Sequence, residues 1–224
     1  MGNDHNDDHP DSGHATPLLL QVQSLCFAYG AHPVFQNWSA HVGAGATLLL
    51  GGDGCGKTTL LRLLAGAFTA DAGQLLLAGV PVAQAAQARP CPVFWQDPRS
   101  DALDALTPQD WFATLRPQYS GWSDAALAAH IEGFALAPHL GKALHQLSVG
   151  SRRKVLMAAA LASGAALTLI DEPVAGLDRP SERYLQHALG DAARQPGRAV
   201  VVAHYEVLDG VPWSAVITLP DAAA

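Results

Sequence analysis

The sequence predicts an α/β fold with a mainly parallel sheet, and three observations carry this prediction. Short apolar segments typical of buried strands alternate with helical segments between residues 18 and 219. A glycine-rich loop at residues 51–56 joins one of these strands to a helix. Helix-capping signals within residues 97–147 indicate a helical insertion into the alternation. Strands that alternate with helices are typical of a parallel sheet with helices packed on its faces.

The first third of the chain contains three predicted strands and one helix. Strands are expected at residues 18–22, 34–42 and 47–50, with a turn at residues 43–45. The helix is expected to begin at Lys57 and to end at Gly66, because glycine readily adopts the left-handed conformation that ends many helices.

The remaining elements complete the predicted core. Residues 74–79 resemble a hairpin, and short strands are expected at residues 93–95, 167–170, 199–202 and 216–219. Thr107 with Pro108, and Ser123 with Asp124, are predicted to begin two helices, the second of which ends near residue 135. We therefore predict one domain at residues 17–224, with an antiparallel β subdomain and a helical subdomain at about 97–150.

Composition and charge exclude several classes of protein for this chain. The 224 residues are 49% hydrophobic and 15% charged, which is typical of a globular protein, and the formal net charge is −7. The only basic cluster is residues 152–154, which we interpret as the solvated face of a helix, so no nucleic-acid partner is expected. Three cysteines without CxxC spacing argue against a disulfide scaffold or a structural zinc site and favour a reducing compartment.

Two features of the sequence bear on where the protein is located: the length of its apolar runs and the composition of its N-terminus. The longest apolar run, residues 155–170, is shorter than the roughly 20 residues of a spanning helix and is predicted to form a helix, a turn and a strand. Residues 1–16 lack the pattern of a signal peptide and are expected to be a disordered, solvated tail. The alternative is that His5, His9 and His14 hold a metal loosely. The short apolar runs and the lack of a signal-peptide pattern together predict a cytoplasmic protein.

The glycine-rich loop carries the first chemical signal. Residues 51–59 contain the pattern GxxxxGK[ST], preceded by an apolar strand and followed by a helix. Glycines let backbone N–H groups converge on phosphate oxygens, and the helix N-terminus favours negative charge. Lys57 would bind the β- and γ-phosphates, and the Thr58 hydroxyl would bind Mg²⁺. The loop alone is compatible with kinases, GTPases and ATPases.

A pair of carboxylates at Asp171 and Glu172 narrows these alternatives. The pair ends the predicted strand at residues 167–170. In this position Asp171 would face the Mg²⁺ beside the phosphate loop, and Glu172 would act on the attacking water as a general base.

Six motifs in the same order resemble those of nucleotide-binding subunits of ATP-binding cassette (ABC) transporters. The resemblance covers about residues 18–219. Besides the phosphate loop and the acidic pair, Gln96 follows a strand as the family's Q-loop glutamine does, and residues 147–151 (LSVGS) correspond to the signature loop LSGGQ. Residues 172–178 (EPVAGLD) resemble EPTAGLD, and His204 follows a strand like the family's switch histidine.

The resemblance implies ATP and Mg²⁺ as ligands and assigns a role to each motif. Glu172, His204 and Gln96 would be catalytic, and Tyr29 would stack on adenine, with Phe27 as the rival aromatic. Magnesium would be bound by Thr58, Gln96 and Asp171. The residues expected to bind nucleotide are Tyr29, Gly51, Gly52, Asp53, Gly54, Cys55, Gly56, Lys57, Thr58, Thr59, Ser148, Gly150 and Asp178.

This sequence departs from the family pattern at a few positions. Val149 replaces a signature glycine and Ser151 replaces the glutamine. These changes are expected either to weaken ATP-driven closure of the dimer or to impair one site of a heterodimer. Gly52 and Asp53 stand where the family often has Pro-Asn. Cys55 fills the family's alanine position and would react with thiol reagents only if it were exposed.

The function that the resemblance implies is ATP hydrolysis coupled to transport. The partners would be a separate transmembrane permease and a second cassette, in a homodimer or a heterodimer, on the inner face of the membrane. Export is favoured over import, because compact cassettes are frequent in export systems of the family, including the haem exporter of cytochrome maturation. The alternatives are a soluble ABC-type ATPase in translation or DNA repair, and a nucleotide-binding regulator.

Overall fold

The computed structural model describes residues 19–220, so the predicted tail at residues 1–16 lies outside the described residues. The strands are β1 (Leu20–Tyr29), β2 (His32–Val42), β3 (Gly45–Leu50), β4 (Ala72–Leu77), β5 (Val80–Pro81), β6 (Val93–Phe94), β7 (Leu167–Asp171), β8 (Ala199–His204) and β9 (Trp213–Thr218). The α-helices are α1 (Lys57–Leu64), α2 (Val82–Ala85), α3 (Pro108–Leu115), α4 (Asp124–Gly133), α5 (Val149–Ala162) and α6 (Arg179–Ala193).

The strands form two sheets of different type. The five-stranded sheet has the order β6-β7-β8-β3-β9 and its strand pairs are parallel. The four-stranded sheet has the order β2-β1-β4-β5 and is antiparallel. Both the mainly parallel sheet and the antiparallel β part predicted from the sequence are confirmed.

The register of the parallel sheet brings distant segments to one edge. Leu50 at the end of β3 pairs with His204 at the end of β8, and Asp171 at the end of β7 pairs with Ala203. The carboxyl ends of these strands therefore lie side by side. Ligands of open α/β sheets bind at this edge, which makes it the place to look for a site.

Two apolar cores enclose the parallel sheet. Alternate residues of β8 face opposite sides: Val201 packs in the core with α1 and the antiparallel sheet, whereas Val200 and Val202 pack in the core with α3, α4 and α5. All six residues of β8 are buried. A strand that is buried on both faces has a continuous run of apolar residues. The apolar run at residues 199–202 predicted such a strand, and β8 confirms it.

The predicted starts of two helices, at Thr107 and Ser123, are confirmed, and Ser148 caps a third helix in the same way. Thr107, Ser123 and Ser148 each accept a hydrogen bond from the backbone N–H three residues ahead, at the starts of α3, α4 and α5. Gly66 has φ +70 in the turn after α1. No helix among residues 19–220 is long and apolar enough to cross a membrane.

The first strand differs from its prediction in length. We expected a strand over residues 18–22, whereas β1 extends to Tyr29. Ser24, at φ +50, interrupts the alternation of buried and exposed residues that the sequence pattern relies on. Pairing with β2 on one side and β4 on the other continues past this irregularity and maintains the strand.

Candidate functional site

The glycine-rich loop forms a tight connection between β3 and α1. Gly56 precedes α1 with φ +98, and a Cβ atom there would lie 2.7 Å from Val34 Cγ1. Only glycine fits this position, because the left-handed backbone and the close neighbour both exclude a side chain. Because α1 begins directly after Gly56, its first backbone N–H groups lie at the loop. The N-terminus of a helix favours a bound anion at this position.

Lys57 places its ammonium group inside the loop. Its Nζ donates hydrogen bonds to the carbonyl oxygens of Gly51 at 2.7 Å and Gly52 at 2.9 Å. The same atom lies 3.4 Å from Glu172 Oε1, and the side chain is only 6% exposed. A largely buried positive charge surrounded by loop backbone is suited to binding phosphate oxygens.

Cys55 has its side chain beneath the loop rather than in the cleft. It is buried, and its Sγ would lie 2.4 Å from a Cβ atom at Gly51. The predicted role of Cys55 in binding is therefore limited to its backbone, and its burial disfavours reaction with thiol reagents.

Asp171 meets the helix side of the loop. Thr58 Oγ1 donates a hydrogen bond of 2.7 Å to Asp171 Oδ2, whereas Asp171 Oδ1 is buried without a hydrogen-bond partner in the described part of the chain. Burial raises the pKa of the Asp171 carboxyl, although the Thr58 hydrogen bond acts in the opposite direction. An unpaired carboxylate oxygen beside a hydroxyl is an oxygen donor set that fits Mg²⁺.

Glu172 bridges the loop and β8. Its Oε1 faces Lys57, and its Oε2 lies 2.6 Å from His204 Nδ1. The Glu172 backbone has φ +45, a left-handed conformation that costs a non-glycine residue roughly 1–2 kcal/mol. His204 is fully buried, and its Nε2 has no hydrogen-bond partner within residues 19–220.

An open cleft of about 960 Å³ lies over the loop. Nine of the predicted site residues line it, and its volume suits a nucleotide-sized ligand. The lining residues are Tyr29, Val34, Gly52, Asp53, Gly54, Gly56, Lys57, Thr58, Thr59, Arg62, Arg99, Arg153, Glu172, Ala175 and Tyr205.

Tyr29 is the aromatic residue at the rim of this cleft. It is 44% exposed, its hydroxyl lies 3.1 Å from Thr59 Oγ1, and its ring packs edge-on against Phe27 and Phe68. Phe27 is 9% exposed and does not line the cleft. The structure therefore favours Tyr29 over Phe27 as the residue available to a base.

Gln96 lies beside the cleft rather than in it. Together with Asp171 it lines a small adjoining cavity, and Arg153 belongs to both spaces. Gln96 thus shares a cavity with Asp171, one of the residues predicted to hold the metal.

The loop before α5 does not line the cleft of its own chain. None of Ser148, Gly150 and Asp178 lines the cleft. Val149 is 66% exposed, and a Cβ atom at Gly150 would lie 2.0 Å from the Gly176 carbonyl oxygen, so this second glycine is required by packing. Ser151 donates its N–H to Ser148 Oγ at 3.1 Å, which makes it part of the helix cap.

The interpretation of residues 152–154 as a solvated face is wrong, because each side chain has a partner. Arg152 binds Asp104 at 2.6 Å, and Lys154 binds Asp178 at 2.7 Å and holds the pKa of that carboxyl well below its usual range. Arg153 Nη1 donates to the carbonyl oxygens of Asp171 and Glu172. The sequence showed three charges on one helix but not the elements that pack against them.

Sequence reasoning also missed further cleft residues. Three arginines, Arg62, Arg99 and Arg153, bring positive charge to the cleft. Their only sequence signal was proximity to recognised motifs: Arg62 lies in α1, Arg99 follows Gln96, and Arg153 follows the Ser148 loop. Arg62 is fixed by a 2.6 Å ion pair with Asp97.

The strand–loop–helix unit and the acidic end of β7 define a P-loop nucleotide-binding protein. The family model described as ABC transporter matches residues 35–175, which is more than half of the chain. The chain therefore belongs to the ABC transporter family, as one of its nucleotide-binding subunits.

The chain is also similar to two named relatives and to one solved structure. The "Cytochrome c biogenesis ATP-binding export protein CcmA" of Pseudomonas syringae is 32% identical over 90% of this chain and 99% of that protein. The protein of the same name from Xanthomonas campestris is 32% identical over 87% and 90%, respectively. The bacterial ABC transporter cassette MJ0796, solved as a dimer, has the same fold with a TM-score of 0.70 at 17% identity, covering 84% of this chain and 88% of that one.

Proposed function

We propose that the chain hydrolyses Mg²⁺-ATP and thereby drives a separate transmembrane export subunit. The observation that carries this proposal is the convergence of Lys57, Glu172 and His204 at one edge of the parallel sheet, with Asp171 bonded to Thr58 beside them. These groups come from two strand ends and one helix start, and together they provide the charges that phosphoryl transfer needs.

Binding is assigned to the loop and its immediate neighbours. The N–H groups at the start of α1 and the Lys57 ammonium would bind the β- and γ-phosphates. Thr58, Asp171 and Gln96 would hold Mg²⁺, which when bound neutralises developing negative charge on the phosphates.

Glu172 is the group best placed to take a proton from water. One carboxylate oxygen is oriented by His204 and the other faces Lys57, so the side chain is fixed in the cleft before ATP arrives. A base held in this way deprotonates the attacking water without first reorganising. His204 orients Glu172 through Nδ1. Its Nε2 is buried and lies 3.9 Å from Glu206 Oε1, so contact with the γ-phosphate, the role proposed for it, requires the His204 ring to move towards the cleft.

Tyr29 is proposed to stack on the adenine base. Loss of one base–aromatic stack costs about 1–3 kcal/mol, so Tyr29→Ala is expected to weaken ATP binding about 5–150-fold. Tyr29→Phe keeps the ring and is expected to stay within about twofold, because only the hydrogen bond to Thr59 is lost. Calorimetric titration with ATP checks both; equal losses in the two variants would assign the effect to the hydroxyl instead.

The second cassette is supported by the position of the Ser148 loop. Ser148 caps α5 and, with Gly150, lies outside the cleft of its own chain. The N-terminal N–H groups of α5 are therefore available to the phosphates bound by another cassette, in a homodimer or a heterodimer. MJ0796, which shares the fold of this chain, was solved as a dimer.

A mixing experiment tests whether two copies of this chain share their sites. Lys57→Ala removes ATP binding from a chain, and Ser148→Arg blocks the loop that faces the partner. In the mixed dimer one shared site carries both changes and the other carries neither, so the ATPase activity of the mixture is expected to exceed that of either variant alone. Absence of any gain, with mixed dimers detected, would contradict a homodimer with independent shared sites.

The transport role is supported by the relatives. The names of the Pseudomonas and Xanthomonas proteins place them in export during cytochrome c biogenesis, and this chain spans nearly their whole length. We propose the same kind of system here, with the chain on the cytoplasmic face of the inner membrane. Co-purification of the tagged chain with a polytopic membrane protein tests this, and recovery with ribosomes or DNA instead would favour the translation or repair alternative.

A further inference from the structure

Arg153 connects α5 to the backbone of the acidic pair. Its Nη1 donates a hydrogen bond of 3.1 Å to the carbonyl oxygen of Asp171 and another to the carbonyl oxygen of Glu172. Its side chain is partly buried and lines the cleft, and Nε has no hydrogen-bond partner in the described residues. The Arg153 guanidinium thus donates to two backbone carbonyl oxygens rather than to a carboxylate.

These two carbonyls lie where the chain leaves β7 in an unfavourable conformation. Glu172 has φ +45, and its N–H is held by the Ala203 carbonyl at 2.9 Å. Arg153 binds the other end of the same residue. The Glu172 backbone is therefore fixed on one side by β8 and on the other by α5, and its side chain is directed towards Lys57 and His204.

We propose that Arg153 is a positioning residue that acts through Glu172 and links it to the Ser148 loop. Arg153 lies in the same helix that this loop begins, so a displacement of the loop reaches the Glu172 carbonyl through one side chain. In a dimer, contact of the loop with the partner's nucleotide would then adjust the carboxylate of this chain's own site. The inference rests on the proposed function, because it concerns the same carboxylate.

Kinetics with three variants tests the positioning role. Arg153→Met removes both hydrogen bonds and is expected to lower ATP turnover about 10–100-fold, because small misplacement of a reacting group has effects of this size. ATP affinity is expected to fall by less than turnover does, because Arg153 is one of three arginines in the cleft, and Arg153→Lys is expected to recover part of the turnover. The control Arg194→Met changes an exposed arginine whose ion-pair partner among residues 19–220 is Asp191, and it should match wild type.

A double-mutant cycle separates positioning from general damage. If Arg153 acts through Glu172, adding Arg153→Met to Glu172→Gln lowers the remaining turnover no further. Multiplied losses, wild-type turnover in Arg153→Met, or a parallel fall in ATP affinity would each overturn the inference.

Hydrogen exchange provides a readout that does not depend on hydrolysis. In Arg153→Met, amides of residues 172–177 are expected to exchange at least tenfold faster, while those of α1 and α6 keep their wild-type rates. Unchanged exchange in 172–177, or faster exchange throughout the chain, would overturn the positioning role. Absence of turnover in wild type would instead contradict the proposed function, and the exchange result would still decide the role of Arg153.

Discussion

Replacing Glu172 with glutamine is expected to lower ATP turnover by about 10²–10⁴-fold, the usual contribution of a general base. Glutamine keeps the shape of the side chain but cannot accept the proton from water. ATP affinity is expected to stay within about twofold, because Lys57 and the loop backbone are unchanged. With ATP bound and unhydrolysed, the variant is expected to elute as a dimer in gel filtration. Phosphate release under saturating Mg²⁺-ATP measures the effect.

A matched control for this variant is Glu132→Gln, at an exposed position on α4. It removes the same charge far along the chain from the acidic pair and is expected to leave turnover unchanged. Turnover of Glu172→Gln close to wild type would assign the base elsewhere. His204 would then be the first group to test, because it contacts the same carboxylate.

Replacing Lys57 with alanine is expected to weaken ATP binding by more than tenfold. The lost charge-assisted contact with phosphate contributes roughly 1.5–3 kcal/mol, which corresponds to at least one order of magnitude in affinity. Titration calorimetry measures the dissociation constant, and thermal unfolding shows whether the loop keeps its structure without the bonds to Gly51 and Gly52.

Lys142→Ala is the control for the lysine variant, since Lys142 is exposed. It is expected to bind ATP like wild type. If Lys57→Ala retained ATP affinity within about twofold while remaining folded, the assignment of residues 51–59 as the phosphate loop would be wrong.

Local patterns predicted the part of the site that depends on neighbouring residues in sequence. The loop at residues 51–56 and the acidic end of β7 are each defined by a strand followed directly by its functional residues, so their pattern is visible without the fold. The parallel sheet followed from alternating apolar strands and helices. The strand order and the register that bring Leu50 beside His204 were not predicted from the sequence.

Contacts between distant segments could not be predicted in this way. The partners of Arg152, Arg153 and Lys154 lie in the segment after β6, at the end of β7 and at the start of α6. A run of three charges on a helix is equally compatible with solvent or with such partners. The extension of β1 to Tyr29 likewise depends on two neighbouring strands rather than on its own pattern.

Product analysis of the wild-type chain tests the central claim most directly. The purified protein is mixed with less than one equivalent of radiolabelled ATP in the presence of Mg²⁺, and the nucleotide is separated after a single turnover. We predict that wild type converts the ATP to ADP and phosphate, whereas Glu172→Gln retains intact ATP under the same conditions. Intact ATP bound to wild type after prolonged incubation under these conditions would contradict hydrolysis and favour the alternative of a nucleotide-binding regulator.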